Sequence, residues 1–327
     1  MTSVGRVLTV ASHELRAALR SRILVVLLVV LVCMTVVSVL VSSAQYAGQL
    51  ADYLAYRDAA VAGGVQRVAP SPLALLSLLR GALEYVEIVG AVVAITLGYL
   101  SVSRERSART MPLLRSRPVS PAELATGSAL GALALISILV TCLATVAVLS
   151  LGLIGHDWIG GVQVPKLVLA YLAAVVYLFV FYCLGAVATS RARVPVNGLM
   201  VALGIWLLVG LVLPQIGDTL DADNQVPGGL FAALGLGHDG EVTILAHLSG
   251  YERVRTGIEE ASFTKHFERF AFAMTDVKER YRSLSLTQLF VETRNDIAWL
   301  VAYPVALSTA LWLSFRAQPT TPTGGTS

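Results

Sequence analysis

From Ile23 to Val41 the chain runs nineteen residues with no charge and nothing more polar than a hydroxyl. Wound as a helix, that run is about 28 Å long, close to the roughly 30 Å hydrocarbon core of a bilayer. Further apolar runs follow at about 72–103, 124–154, 165–189, 196–216 and 297–315. Apolar residues make up 56% of the 327 and charged residues 14%, about half the usual charged share. Mean hydropathy is +0.73. A soluble core could not hide that much apolar surface, and the charges cluster between the runs. The expectation is an all-α, polytopic membrane protein with six transmembrane helices.

Several chemistries are missing. The formal net charge is only +3, carried by arginine-rich loops, so no nucleic-acid partner is expected. Cys33, Cys142 and Cys183 are odd in number and lie inside apolar runs, which indicates neither a disulfide framework nor a thiolate metal cluster. The only lysines are Lys166, Lys265 and Lys278, and none closes a phosphate loop. No metalloprotease H-E-x-x-H and no hydrolase G-x-S-x-G elbow occurs. His156-Asp157 and His238-Asp239-Gly240-Glu241 are too far apart to converge on a metal by local spacing. Asp218, Asp221, Asp223 and Asn224 read as a solvated cap after the fifth span. The expectation is therefore no catalytic residue, no metal and no directly bound cofactor.

Residues 1–22 read as an interfacial elbow helix, with Val7, Leu8, Leu15 and Leu19 near helical spacing and Arg6, Arg16, Arg20 and Arg22 largely on another face. The following run is longer than a signal-peptide core and has no clean cleavage site, so it should stay as an anchor. A polar loop to Pro70 comes next. The second apolar segment, 72–103, would be roughly 48 Å long as a helix, so its first part must lie outside the core or along the interface. Arg80, Glu84 and Glu87 sit in that part. Arg80 and Glu84 stand at i,i+4 and can pair, and Glu87 falls about one turn inside the core. Interfacial pairing and a place in a substrate path both remain open for them.

Orientation follows from the short loops. With the N-terminus inside, one side holds Arg6, Arg16, Arg20 and Arg22, then Arg104, Arg106, Arg109, Arg115 and Arg117, then Arg191, Arg193 and Arg316, twelve in all. The other side holds four: Arg57, Arg67, Arg80 and Lys166. The bias puts spans one to five (23–216) and the sixth (297–316) in the plasma membrane with both termini cytoplasmic. Residues 217–296 then form an extracytoplasmic helical segment, and 317–327, rich in Pro, Thr and Gly, a disordered cytoplasmic tail.

Within 217–296, Phe263, Phe267, Phe270, Met274, Val277, Tyr281 and Leu284 recur with a 3.5-residue period, and Leu248, Tyr251, Val254 and Ile258 form a shorter stripe. Two amphipathic helices lying on the outer surface or on the span ends account for both, as a cap over the bundle, a dimer contact or a gate. Gly127 and Gly131 form a G-x-x-x-G in the third span, which suits close helix packing or a dimer face.

The stretch from Arg104 to Glu123 is a basic and apolar cytoplasmic segment ended by Pro118 and Pro121, of a kind that docks into a groove on a soluble partner. It resembles the permeases of the second class of ABC exporters, the branch that includes the permease of the nitrous-oxide-reductase maturation system. In that family a pattern close to R-E-x-x-x-G-T-L-x-x-L-L-x-x-P-V-S-R-x-E follows the second span, and G-K opens the third. Arg104, Glu105, Thr110, Leu113, Leu114, Pro118, Val119, Ser120, Glu123 and Gly127 keep the pattern, while Arg109, Met111, Pro121 and Ser128 depart from it.

The resemblance implies a permease subunit that pairs with a second copy, a homodimer in the simplest case. It implies a separate cytoplasmic ABC ATPase, which binds the ATP and magnesium and docks on Arg104, Glu105, Arg106, Thr110, Leu113, Leu114 and Pro118. The few polar residues in the spans agree with export of an amphipathic or lipid-like substrate. Two other classes stay open: an intramembrane enzyme using Glu84, Glu87 and an outer histidine, and a membrane scaffold or sensor without transport.

Overall fold

The structure is a computed structural model that describes residues 3–62, 74–107, 120–220, 234–235 and 249–316. Six of its helices are long and apolar enough to cross a membrane. Helix α1 (Ser3–Arg20) runs at an angle into α2 (Arg22–Ala62), the two meeting at Ser21. Then come α3 (75–107), α4 (Pro121–Leu153), α5 (Gln163–Arg191) and α6 (195–220). Four shorter helices follow: α7 (Ser249–Glu260), α8 (Phe263–Met274), α9 (Glu279–Arg282) and α10 (Leu286–Glu292). The last span is α11 (Arg294–Arg316). No strand occurs among the described residues.

The spans alternate in direction, so the bundle has two ends. The loop end carries α1, the last turn of α3 and the first turn of α4. The far end carries α7 to α10. Helices α3 and α5 form the centre. In their most apolar stretches 67% and 61% of the residues are buried, against 17% to 33% in the other four spans. Lipid tails are as apolar as leucine, so burial of apolar area does not by itself pull spans together, and close backbone contact has to contribute. Gly98 and Gly185 supply it where α3 crosses α5. A Cβ on Gly98 would stand 2.2 Å from the Tyr182 carbonyl oxygen, and one on Gly185 would stand 2.4 Å from that of Ile95.

Two expected boundaries shift. The first span does not give way to a loop after Ser43: α2 continues to Ala62, 41 residues in all, or about 60 Å. The stretch 44–62 is polar but rich in Ala, Leu and Gln, good helix formers, and it extends the helix beyond the bilayer. The extension is pinned by Ser43 to Ser150, 3.1 Å apart, and by the Tyr46 hydroxyl donating to Asp157 at 3.0 Å. The overlong second segment changes character along its length. It opens with a 3-10 turn (Leu75–Leu79), becomes α-helical (Arg80–Tyr85), widens into a π-helical turn (Val86–Gly90) and ends as regular helix (Ala91–Ser107).

The long outer stripe is also divided. Helix α8 stops at Met274, and Asp276 takes a positive φ of 54° while the Val277 amide donates back to the Phe272 carbonyl at 3.1 Å. This is a Schellman-type stop, with an aspartate where glycine is usual. Val277, Tyr281 and Leu284 therefore belong to the next connection and not to one continuous helix. Nor does α8 lie on the surface. It is buried on nearly all sides, packed against α5, α11 and the middle of α6. Helix α7 does fit the surface expectation, with Val254 60% exposed. Leu248 of the shorter stripe lies outside the described residues, as does the tail 317–327.

Candidate functional site

At the loop end, α1 lies in a groove on α4. A Cβ on Gly127 would stand 2.6 Å from Cβ of Val10, and one on Gly131 2.7 Å from the Ala11 carbonyl oxygen. The G-x-x-x-G pair thus serves close helix packing, and its partner is the elbow helix of the same chain.

Two ion pairs then fasten α1 to both sides of the 104–123 loop. Arg104, at the end of α3, donates from Nη2 to Glu14 Oε1 at 3.1 Å and from Nε to the Leu100 carbonyl at 2.8 Å. Arg6 donates from Nε and Nη2 to Glu123 Oε1 at 3.0 and 2.7 Å. The other Glu123 oxygen accepts from the Ser120 amide at 2.9 Å, while Ser120 Oγ accepts from the Glu123 amide at 3.2 Å. That capping box, with Pro121 in the first turn, explains why α4 begins there. Glu123 therefore caps its own helix and anchors α1 as well. Of the expected docking residues, Arg104 lies within this cluster. Glu105 and Arg106 occupy the last turn of α3, and Thr110, Leu113, Leu114 and Pro118 lie outside the described residues.

The far end is built around the two π-helical turns, Val86–Gly90 in α3 and Leu207–Val212 in α6. A π turn leaves a backbone carbonyl without its usual helical partner, and such turns, rare overall, are frequent at functional sites. Here hydroxyls supply the donors. Tyr177 of α5 donates to the Glu87 carbonyl at 2.9 Å, and Ser262, the N-cap of α8, donates to the Val209 carbonyl at 2.5 Å. Tyr177 also lies 3.3 Å from Thr264 of α8, and its ring sits 4.4 Å from Phe267, 4.9 Å from Phe181 and 5.6 Å from Phe263. Aromatic stacking and hydroxyl bonds together hold α8 between the spans.

Charges ring this wedge. Lys265 lies 2.8 Å from both Asp218 of α6 and Glu268. Burial works against its ammonium, but the Glu268 and Asp218 carboxylates more than offset that and raise its pKa above the ordinary value. Asp218, 46% exposed, is thus an ion-pair partner as well as solvated, and Asp221, Asp223 and Asn224 lie outside the described residues. Lys166, expected at a span edge, is buried and donates to Asp276 at 2.8 Å. This pair joins the start of α5 to the stop of α8, and it holds the aspartate in its left-handed turn.

The three residues weighed in the second span separate. Arg80 and Glu84 pair at 2.7 Å on the surface, with Arg80 also over the Phe272 ring at 5.5 Å. Glu87 belongs to the π turn and faces the group formed by Glu268, Lys265 and Asp218. Among the described residues, no hydrogen bond joins a histidine to Glu84 or Glu87. Sequence reasoning missed His266, Lys166–Asp276, Tyr177 and the Gly98–Gly185 crossing. Their partners lie far away in the chain, and no local spacing marks them.

A six-span helical bundle with ion-paired helix ends on one side and a wedged helix on the other defines a multi-pass membrane protein. Residues 8–317 match the family described as ABC-2 family transporter protein. The match covers nearly the whole chain, and the chain belongs to that family: it is a membrane permease subunit of an ABC transporter, and membership implies association with an ABC ATPase. No curated protein matches the chain closely enough to count as a relative.

Proposed function

We propose that this permease forms the membrane pathway of an exporter and is driven through its 104–123 loop. One observation carries the reading: Arg104–Glu14 and Arg6–Glu123 bind both flanks of that loop to the single helix α1. A push delivered to the loop by an ATPase displaces α1, α3 and α4 together, and α3 reaches the π turn and the wedged helix at the far end. The docking surface comprises Arg104, Glu105, Arg106, Thr110, Leu113, Leu114 and Pro118, and the partner ATPase holds the ATP and magnesium. The likeness of 104–127 to the nitrous-oxide-reductase maturation branch supports this placement.

The positive-inside bias supports a plasma-membrane orientation with both termini cytoplasmic and 217–296 outside. The exposed apolar faces of α2, α4 and α6 leave room for a second copy of the permease. A spans-lined path with few polar groups suits an amphipathic or lipid-like cargo, and Arg80, Glu84 and Glu87 stand at its outer mouth. The test is retention of the partner ABC ATPase on the tagged, purified permease. Glu105→Ala with Leu113→Ala should abolish retention, and undiminished binding would refute docking at this loop. Arg104→Gln with Arg6→Gln should keep retention but lower coupled transport per ATP.

A further inference from the structure

We propose that His266 is a proton-binding site that locks the wedged helix into the far end of the bundle. The imidazole is 1% exposed and lies where three helices meet. Its Nδ1 is 2.8 Å from Oδ1 of Asp296 in the first turn of α11, and its Nε2 is 3.0 Å from the backbone carbonyl of Glu260, the last residue of α7. A carboxylate and a carbonyl only accept, whereas a neutral imidazole has a single N–H. The Nδ1–H tautomer therefore turns a lone pair on the Glu260 carbonyl, and the Nε2–H tautomer turns one on the Asp296 carboxylate, where Arg269 Nη2, at 3.4 Å, is the donor within reach. The imidazolium satisfies both. The Trp299 ring, stacked on the imidazole at 5.6 Å and 23°, also favours the cation.

Among the described residues, these other charges surround the ring and define the competition. On α8 itself, Arg269 places Nη2 3.4 Å from His266 Nδ1 and Nε 3.3 Å from the same Asp296 oxygen, and Nη1 3.6 Å from Glu259 of α7. Arg255 of α7 also faces Glu259, at 3.8 Å. From α5, Lys166 is committed to Asp276, and from α6, Asp218 is committed to Lys265. From α3, the Arg80–Glu84 pair and Glu87 face α8 on its Lys265 and Phe272 sides. With His266 neutral, Arg269 and Arg255 balance Asp296 and Glu259. With the proton bound, the cluster carries one extra positive charge in return for two complete hydrogen bonds.

Protonated His266 joins α7, α8 and α11 into one unit. Loss of the proton frees either α7 or α11 from α8, and with it the part of the molecule that caps the two π turns. On the orientation proposed above, this lock answers to the medium outside the cytoplasm.

Hydrogen exchange of the full-length permease in lipid nanodiscs, from pH 5 to pH 8 and corrected for the chemical exchange rate, tests the lock. In the wild type, amides of 249–274 should be about tenfold better protected at the acid end, the scale of one buried hydrogen bond, with a one-proton midpoint. His266→Gln should flatten the profile. Asp296→Asn should flatten it too, because the amide can donate to the neutral ring, and it decides the matter if the glutamine variant does not fold. A flat wild-type profile, or a step that persists in either variant, overturns the proposal. No ATPase is needed, so failure here leaves the docking loop standing, and loss of docking leaves the lock standing.

Discussion

The two ends of this bundle use charge in opposite ways. At the loop end each ion pair sets a half-wet arginine on a nearly buried carboxylate: Arg6 is 29% and Arg104 32% exposed, against 11% and 9% for Glu123 and Glu14. Either arginine can pass into water, although the carboxylate that it leaves is as buried as Asp276. At the far end both partners are buried, with Lys166 at 6% and Asp276 at 11%, and separating them strands a charge away from water. The lesson is mechanical. At the loop end the cation of each pair already touches water, whereas at the far end neither member of the Lys166–Asp276 pair does so freely.

The contrast is broken most directly at Lys166. Lys166→Met should leave Asp276 unpaired in a left-handed turn and destabilise the permease by about 3–5 kcal/mol, read as a lowered unfolding temperature in lipid. A loss below about 1 kcal/mol would mean that the far end is no stiffer than the loop end. Gly185→Ala should cost about 1–3 kcal/mol by pushing α5 off the backbone of α3, measurable in the same way. It tests whether the centre of the bundle is as intolerant of change as its far end. Ser120→Ala removes half of the capping box and should cost about 1 kcal/mol, with the loss concentrated in hydrogen exchange of the first turn of α4. Smallest of all, Glu84→Gln at the exposed pair with Arg80 should change stability by about 0.5 kcal/mol or less, although it too lies toward the far end. A larger effect would mean that position along the bundle, and not burial, sets the strength of these pairs.

Span number and approximate limits were legible in the sequence because hydropathy and length are local. The third, fourth and sixth spans, expected at 124–154, 165–189 and 297–316, appear as Pro121–Leu153, Gln163–Arg191 and Arg294–Arg316. The start of α4 was readable for the same reason, since its cap, proline and glutamate lie within four residues. The length of α2 was not, because polar composition after Ser43 reads equally as loop or as helix leaving the membrane. The 3.5-residue stripe located the start of α8 but neither its end nor its depth. Phe272, Ala271 and Ala273 on its other faces are buried too, which a one-sided pattern does not reveal.

The sequence by itself therefore determined that this chain lives in a membrane, crosses it with six helices, and carries the loop motif by which its family can be recognised. Tertiary structure alone decided which helix fills the Gly127–Gly131 groove, which carboxylate each arginine meets, and where His266 meets the Asp296 carboxylate and the Glu260 carbonyl. Those partners stand from six residues to more than a hundred apart in the chain, as Glu260 and His266 or Arg6 and Glu123 do. Pairings across packed helices depend on distance in space, which no local pattern of residues encodes.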